Sequence, residues 1–251
     1  MLYNAWDAGS AKSILDAGAK AIATNSWAVA EAQGYRDGEA IPVGLVEQIV
    51  ARIAGTIDAP VSVDFEGGYS DDDGVLAENV SRLLGLGVIG INFEDRVVHG
   101  GGLHPIDRQA RRIAAVRDAA GKRGVDLFVN AGTDLFLGQE GDPAKSIGDA
   151  LDRAKAYAAA GASGFFVPGL RDDALIGRIC NGVALPVNVM VMDGVWPAVS
   201  LFGHSRKHPL DLVVGLLPAG KGHQDFEARV ADEAGEIHRL ELRHVDHLQP
   251  P

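Results

Sequence analysis

Val61-Ser62-Val63-Asp64-Phe65-Glu66-Gly67-Gly68-Tyr69 is a short β-type run that stops abruptly in carboxylates and glycines. A helical pattern follows over Asp73–Leu86, Gly87 ends it, and a second apolar run, Val88-Ile89-Gly90-Ile91-Asn92-Phe93, stops in Glu94-Asp95-Arg96. An apolar run that ends this way aims charged oxygens out of a sheet edge, where water or a cation must satisfy them. Parallel neighbouring strands would bring Asp64, Glu66 and Glu94 together. Three unpaired carboxylates at one place repel strongly, which suggests a bound divalent cation. From spacing alone, the same residues also read as acidic turns facing solvent.

The same alternation runs outward in both directions. Further β-type runs lie at Leu2–Trp6, Ala19–Thr24, Leu127–Asn130, Gly164–Val167 and Pro186–Val191. Helical patterns fill Ser10–Ala17, Val43–Ile57, Ile106–Arg123, Pro143–Ala160 and Asp172–Asn181. In Pro143–Ala160, Asp142 suits the cap, Pro143 the first turn and Gly161 the end, and Ile147, Leu151, Ala154 and Ala158 form one apolar stripe. Evenly spaced β/α units without a linker predict an α/β fold, a single (β/α)8 barrel over residues 1–251. A doubly wound open sheet is the runner-up, but no Gly-x-Gly-x-x-Gly follows the first strand. A barrel also accounts for the acids, because active sites gather at the carboxyl ends of its strands. The pattern degrades in a divergent tail from about residue 195, where Asp211–Leu217 is the candidate eighth strand and Gln224–Leu242 a candidate final helix.

Composition narrows the function. The chain has 251 residues, 47% of them hydrophobic, enough for one large core. A net charge of −11 without a basic run argues against nucleic acid as a partner. One cysteine, Cys180, permits no disulfide within the chain and fits a reducing cytoplasm; it reads as a small core residue rather than a nucleophile. No stretch approaches the roughly 20 apolar residues of a membrane span, and the N-terminus lacks the form of a signal peptide.

Over roughly Leu2 to Val191 the chain resembles the isocitrate lyase/phosphoenolpyruvate mutase superfamily. The matching stretches are Asn4-Ala5-Trp6-Asp7-Ala8-Gly9-Ser10-Ala11, Thr24-Asn25-Ser26, Gly34-Tyr35-Arg36-Asp37, Asp64–Tyr69, Asn92-Phe93-Glu94-Asp95, Asn130-Ala131-Gly132-Thr133-Asp134 and Phe166-Val167-Pro168-Gly169-Leu170. The resemblance implies a Mg2+- or Mn2+-dependent barrel that makes or breaks a C–C or P–C bond beside a 2-oxo-acid carboxylate, often through an enolate. It implies that Asp64, Glu66 and Glu94 form the metal shell and that Asp37 stands near the metal and the scissile bond. Asn25 and Ser26 would bind substrate oxygens through their amides, with Trp6 and Asp7 near the substrate pocket. It further implies a homodimer or homotetramer acting on a small carboxylate. Read as residues alone, Asp37 and Asn25 suit loop capping and Trp6 suits packing.

Three departures qualify the resemblance. Gly132 stands where the family usually has an arginine that binds the substrate carboxylate, and glycine supplies no charge or bidentate donor. The lyase branch carries an acid cysteine after its fourth strand, whereas Arg96–Pro105 here has none, so isocitrate or methylisocitrate cleavage is not expected. The tail after Val191 does not match. The loop's Gly100-Gly101-Gly102 suits a gate, with His99 or His104 able to supply a proton, or else a flexible surface turn. The other histidines, His204, His208, His223, His238, His244 and His247, lack metal-ligand spacing and read as surface residues. An enzyme with these departures and a non-catalytic barrel that serves as a binding or assembly subunit both fit the sequence.

Overall fold

The computed structural model describes residues 2–138, 141–191, 212–216, 228–231 and 237–240. Two compact units are present, Met1–Leu217 and Pro218–Pro251. The first is an eight-stranded parallel sheet in strict sequence order: β1 (Tyr3–Ala5), β2 (Ile22–Thr24), β3 (Val61–Asp64), β4 (Val88–Glu94), β5 (Phe128–Gly132), β6 (Gly164–Phe166), β7 (Val187–Val191) and β8 (Leu212–Leu216). β8 returns beside β1, which curls the sheet into the expected barrel. Among the described residues seven α-helices accompany the strands: α1 (Ala8–Asp16), α2 (Ser26–Ala32), α3 (Val43–Thr56), α4 (Asp73–Gly85), α5 (Ile106–Lys122), α6 (Ile147–Ala159) and α7 (Asp173–Gly182). Cys180 is half-buried on α7.

The helices form where an apolar stripe can bury against the strands. On α4, Leu76, Val80 and Leu83 are fully buried, and on α5 Ile113 and Val116 are as well. Full burial of each such side chain stabilises by roughly 1.5–3 kcal/mol. Short polar residues just beyond the strands start several of them: Asp7 caps α1, Asn25 caps α2, Asp72 caps α4 and Asp172 caps α7. The seven-residue α2 is too short to leave a periodic signal and is absent from the sequence reading.

The candidate eighth strand is present as β8. The candidate helix over Gln224–Leu242 is not: that stretch contains an antiparallel pair, β9 (Ala228–Ala231) and β10 (Ile237–Leu240). Phe226, Val230, Ala234, Ile237 and Leu240 fit a helical period, but Gly235 interrupts the run and each remaining apolar segment is only strand length. His238 belongs to β10, while His204, His208, His223, His244 and His247 lie outside the described residues.

Candidate active site

The carboxyl ends of β3, β4 and β5 meet at one edge of the sheet. Register pairs Asp64 with Asn92 and Glu94 with Gly132, so the two strand-terminal acids project from adjacent positions. The chain leaving β3 turns through Phe65–Tyr69. Gly68 at φ 82° is obligatory there, because an added Cβ would lie 2.3 Å from Leu76 Cδ1. Glu66 and Tyr69, at φ 48° and 61°, are also left-handed, and so is Glu39 at φ 56° in the segment between α2 and α3.

These three strained residues are bonded to one another. The Glu39 N–H donates to Glu66 Oε2 at 2.6 Å, the Tyr69 N–H to Glu39 Oε1 at 2.7 Å, and the Tyr69 hydroxyl to Glu66 Oε1 at 3.1 Å. Left-handed backbone at a non-glycine residue costs on the order of 1–3 kcal/mol and persists where surrounding contacts over-determine it, typically at functional sites.

Around this turn the acids act on one another. Burial, then the charges of Asp64, Asp37 and Glu39, pushes Glu66 up to about 8, against backbone hydrogen bonding from Glu39. Burial, then Asp134, Asp64, Glu66 and Asp37, holds Glu94 well above the ordinary carboxylate range. Asp64 is raised mainly by burial and by Asp37, although Ser26 hydrogen bonding opposes the shift. Asp134, which follows β5, is pushed up to about 7 by burial and Asp95, with Arg96 pulling the other way. Asp37, exposed in a turn, is thus within electrostatic reach of all four. Among the described residues Asp64 Oδ1 and both carboxylate oxygens of Asp134 are buried without a hydrogen-bond partner.

Asp64, Glu66, Glu94 and Asp37 are therefore within electrostatic reach of one another. Of the other expected residues, Ser26 bonds to one of these acids. Ser26 begins α2 and its N–H donates to Asp64 Oδ2 at 2.9 Å. Asn25 is that helix's cap, its Oδ1 accepting from the Ala28 N–H at 2.8 Å. Asp7 caps α1 through the Ser10 N–H at 2.7 Å, and Trp6 is half-buried against the core. His99 is exposed and lines an open cleft with Glu39, Tyr69, Asp71 and Arg96. His104 is buried, with Nε2 3.3 Å from Asp71 Oδ1, and burial followed by Arg112 holds its pKa below the usual value.

Asp134, Glu39 and Asp95 were not singled out from sequence. Asp134 carried the same signal as Asp64, an acid just past a strand. Glu39 carried none, since its partners lie 27 and 30 residues away. Fully buried Asp95 accepts from Arg153 Nη1 at 2.9 Å, the Tyr157 hydroxyl at 2.7 Å and the Asp134 N–H at 3.1 Å, which anchors the segment bearing Asp134. At Gly132 the backbone is not left-handed, and an added Cβ would meet Glu94 Cγ at 3.5 Å and Phe166 Cδ1 at 3.6 Å, both ordinary contacts.

A hard divalent cation fits this donor set, which is all oxygen with several acceptors unused. Among the described residues no three acidic, histidine or cysteine side chains are placed to hold one ion together. The fit is therefore to a cation that keeps much of its water, as Mg2+ commonly does.

The sequence profile of the phosphoenolpyruvate phosphomutase family matches residues 1–203. The chain belongs to this family. It is 42% identical to a solved Burkholderia cenocepacia J2315 protein described as a candidate phosphonomutase, with a TM-score of 0.80 and 85% of each chain covered. An uncharacterised Mycobacterium tuberculosis protein is 34% identical over 196 residues, 78% of this chain and 70% of the relative. A Corynebacterium glutamicum protein named "Probable 2-methylisocitrate lyase 2" is 30% identical over 185 residues, 71% of this chain and 57% of the relative. Membership of this family of lyases and phosphomutases makes the chain an enzyme of the lyase or mutase kind. Among the described residues no helix is long and apolar enough to cross a membrane.

Proposed function

We propose that this chain uses Mg2+ or Mn2+ to cleave or rearrange a C–C or P–C bond in a small 2-oxo or 2-hydroxy carboxylic acid, by way of an enolate. The observation that carries the reading is the crowding of Asp37, Asp64, Glu66, Glu94 and Asp134 at one strand edge, with buried carboxylate oxygens left unpartnered. Asp64, Glu66 and Glu94 would hold the cation, directly or through its water. When bound, such a cation supplies positive charge beside the oxygen on which enolate charge develops.

The chain's own groups do the rest. Glu66 is fixed by the Glu39 N–H and the Tyr69 hydroxyl, so its carboxylate is presented in one orientation. Asp134, pushed up to about 7, can hold a proton near neutral pH on an oxygen with no competing partner and deliver it to a ligand. The loop Arg96–Pro105 lies over the turn, with the Arg96 carbonyl oxygen 3.5 Å from the Cβ position of Gly67, and would limit water access. His99, which lines the open cleft, and Asp37 are the candidate proton carriers, and His104 is buried against Asp71.

A panel of 2-oxo acids and phosphonates assayed for pyruvate release with Mg2+ tests this. Turnover should require the cation and fall about a hundredfold or more in Asp64→Asn. Mg2+ binding without turnover of any panel compound would refute the proposed reaction. The assembly we propose is a homodimer or homotetramer.

A further inference from the structure

We propose that Glu39 is a positioning residue: its carboxylate latches the exposed segment that carries Asp37 onto the turn after β3, and so holds Asp37 in place for the reaction. The inference rests on the functional reading above, in which Asp37 is a candidate proton carrier.

The segment between α2 and α3 has two fixed points. Residues 33–37 are all exposed, whereas Glu39 is half-buried and Ile41 is buried in the core. Among the described residues, the hydrogen bonds that tie residues 36–41 to the rest of the fold are both made by Glu39. Its N–H donates to Glu66 Oε2 at 2.6 Å, and its Oε1 accepts from the Tyr69 N–H at 2.7 Å. Tyr69 is the rigid side of this latch, because its ring packs on fully buried Phe65 at 5.4 Å and its hydroxyl donates to Glu66. Asp37 is two residues from Glu39, so their Cα atoms are at most about 7 Å apart. The latch is the last fixed point before Asp37.

The turn alone does not call for a glutamate. Glu39 lies at φ 56°, directly after Gly38 at φ 91°, and a second glycine would take that left-handed backbone without strain. The turn after β3 leaves room for the carboxylate, since an added Cβ at Gly67 would lie 3.0 Å from Glu39 Oε1. What the glutamate side chain adds is the acceptor for the Tyr69 N–H. Without it the Asp37 segment keeps only one of its two bonds, and misplacing a reacting group by about 1 Å can cost on the order of a hundredfold in rate.

Four variants test this. Glu39→Gly relieves the backbone and keeps the N–H on Glu66, and Glu39→Gln keeps an acceptor oxygen; Asp37→Asn and the double variant Glu39→Gly with Asp37→Asn complete the set. With Mg2+ and a panel compound that wild type turns over, kcat should fall about ten- to a hundredfold in Glu39→Gly. KM and Mg2+ affinity should change by less than about threefold, because Glu66 keeps its N–H and hydroxyl donors. Glu39→Gln should hold kcat within about threefold of wild type. The double variant should be slower than Asp37→Asn by no more than about threefold, since a latch that acts through Asp37 has nothing left to place. Independently of activity, trypsin should cut after exposed Arg36 about tenfold faster in Glu39→Gly than in wild type or Glu39→Gln, with cleavage after exposed Lys20 unchanged. If Glu39→Gly turns over as wild type does, if the two losses multiply in the double variant, or if cleavage after Arg36 does not change, the proposal is overturned and the functional reading stands. If wild type with Mg2+ turns over no compound of the panel, the functional reading fails and the positioning role fails with it.

Discussion

Replacing Glu66 by glutamine should make the metal-free protein more stable at alkaline pH. Glu66 is 3% exposed and its carboxyl is pushed from 4.5 up to about 8. Below pH 4.5 it is protonated in both folded and unfolded chains and contributes no difference. As pH rises from 4.5 towards 8 the unfolded chain releases the proton and the folded chain keeps it, so the unfolding free energy falls; above about 8 the loss levels off. At about 1.4 kcal/mol per tenfold change, that interval sets a ceiling of roughly 5 kcal/mol for wild type. Glutamine retains the packing. Its carbonyl can accept from the Glu39 N–H, and its amide can donate to a Tyr69 hydroxyl that rotates.

Asp64, Glu94 and Asp134 are raised by the same burial, and ionising one opposes ionising the next. The pH dependence is thus shared among four groups, and the difference between proteins should be on the order of 2–4 kcal/mol at pH 9 and near zero at pH 4.5. Mg2+ favours the ionised acids and should displace their protons, so it should stabilise wild type more than Glu66→Gln at pH 8. Urea unfolding at pH 4.5, 7 and 9, with chelator or with Mg2+, reads both effects. Parallel pH profiles for the two metal-free proteins would refute the argument, since no buried repulsion would then be relieved.

Asp95→Asn should destabilise by about 3–5 kcal/mol, because Arg153 would lose its buried anion and keep only the exposed Asp149 carboxylate at 3.1 Å; a loss below about 1 kcal/mol in chemical denaturation would show that the buried pair is not isolated from water. Gly68→Ala should cost at least about 2 kcal/mol, given the left-handed backbone and the 2.3 Å approach to Leu76, and should weaken Mg2+ binding by moving Glu66. Unchanged Mg2+ titration in a folded Gly68→Ala protein would separate that turn from the site. Light scattering should give two or four times the 26.3 kDa chain mass, and a monomer across micromolar concentrations would exclude the proposed assembly.

The barrel was legible because each of its units repeats the same local chemistry. In β3 the burial alternates as the sequence alternates, and in α4 and α5 the buried residues recur at helical spacing. Element ends were less legible. Asp142 does cap a turn, its Oδ1 accepting from the Ala144 N–H at 3.0 Å, but Pro143–Ser146 is 3-10 and α6 begins only at Ile147. Proline at the first position suits either kind of turn, so the residues do not distinguish them. The tail failed for a different reason. A five-residue apolar set at spacings of three and four fits one helix, and the one local signal against it, Gly235, does not by itself specify two short strands paired through each other.

Acidic residues past strand ends divide into two kinds, and sequence alone separates them poorly. Asp7, Asp72 and Asp172 have each spent an oxygen on a helix N–H two or three residues ahead, which gives the carboxylate a local partner. Glu94 and Asp134 start no helix by capping, and the oxygens of Asp134 find no partner among the described residues. The distinction lies in what the fold brings beside each acid: register sets Gly132 beside Glu94, and the Asp134 N–H donates to Asp95. A cap can be recognised from three consecutive residues, whereas a site acid is recognised by the absence of one and by the company the fold gives it. At Gly132 the backbone is not left-handed and an added Cβ would meet only ordinary contacts, so the strand end there leaves room for a side chain that this sequence does not supply.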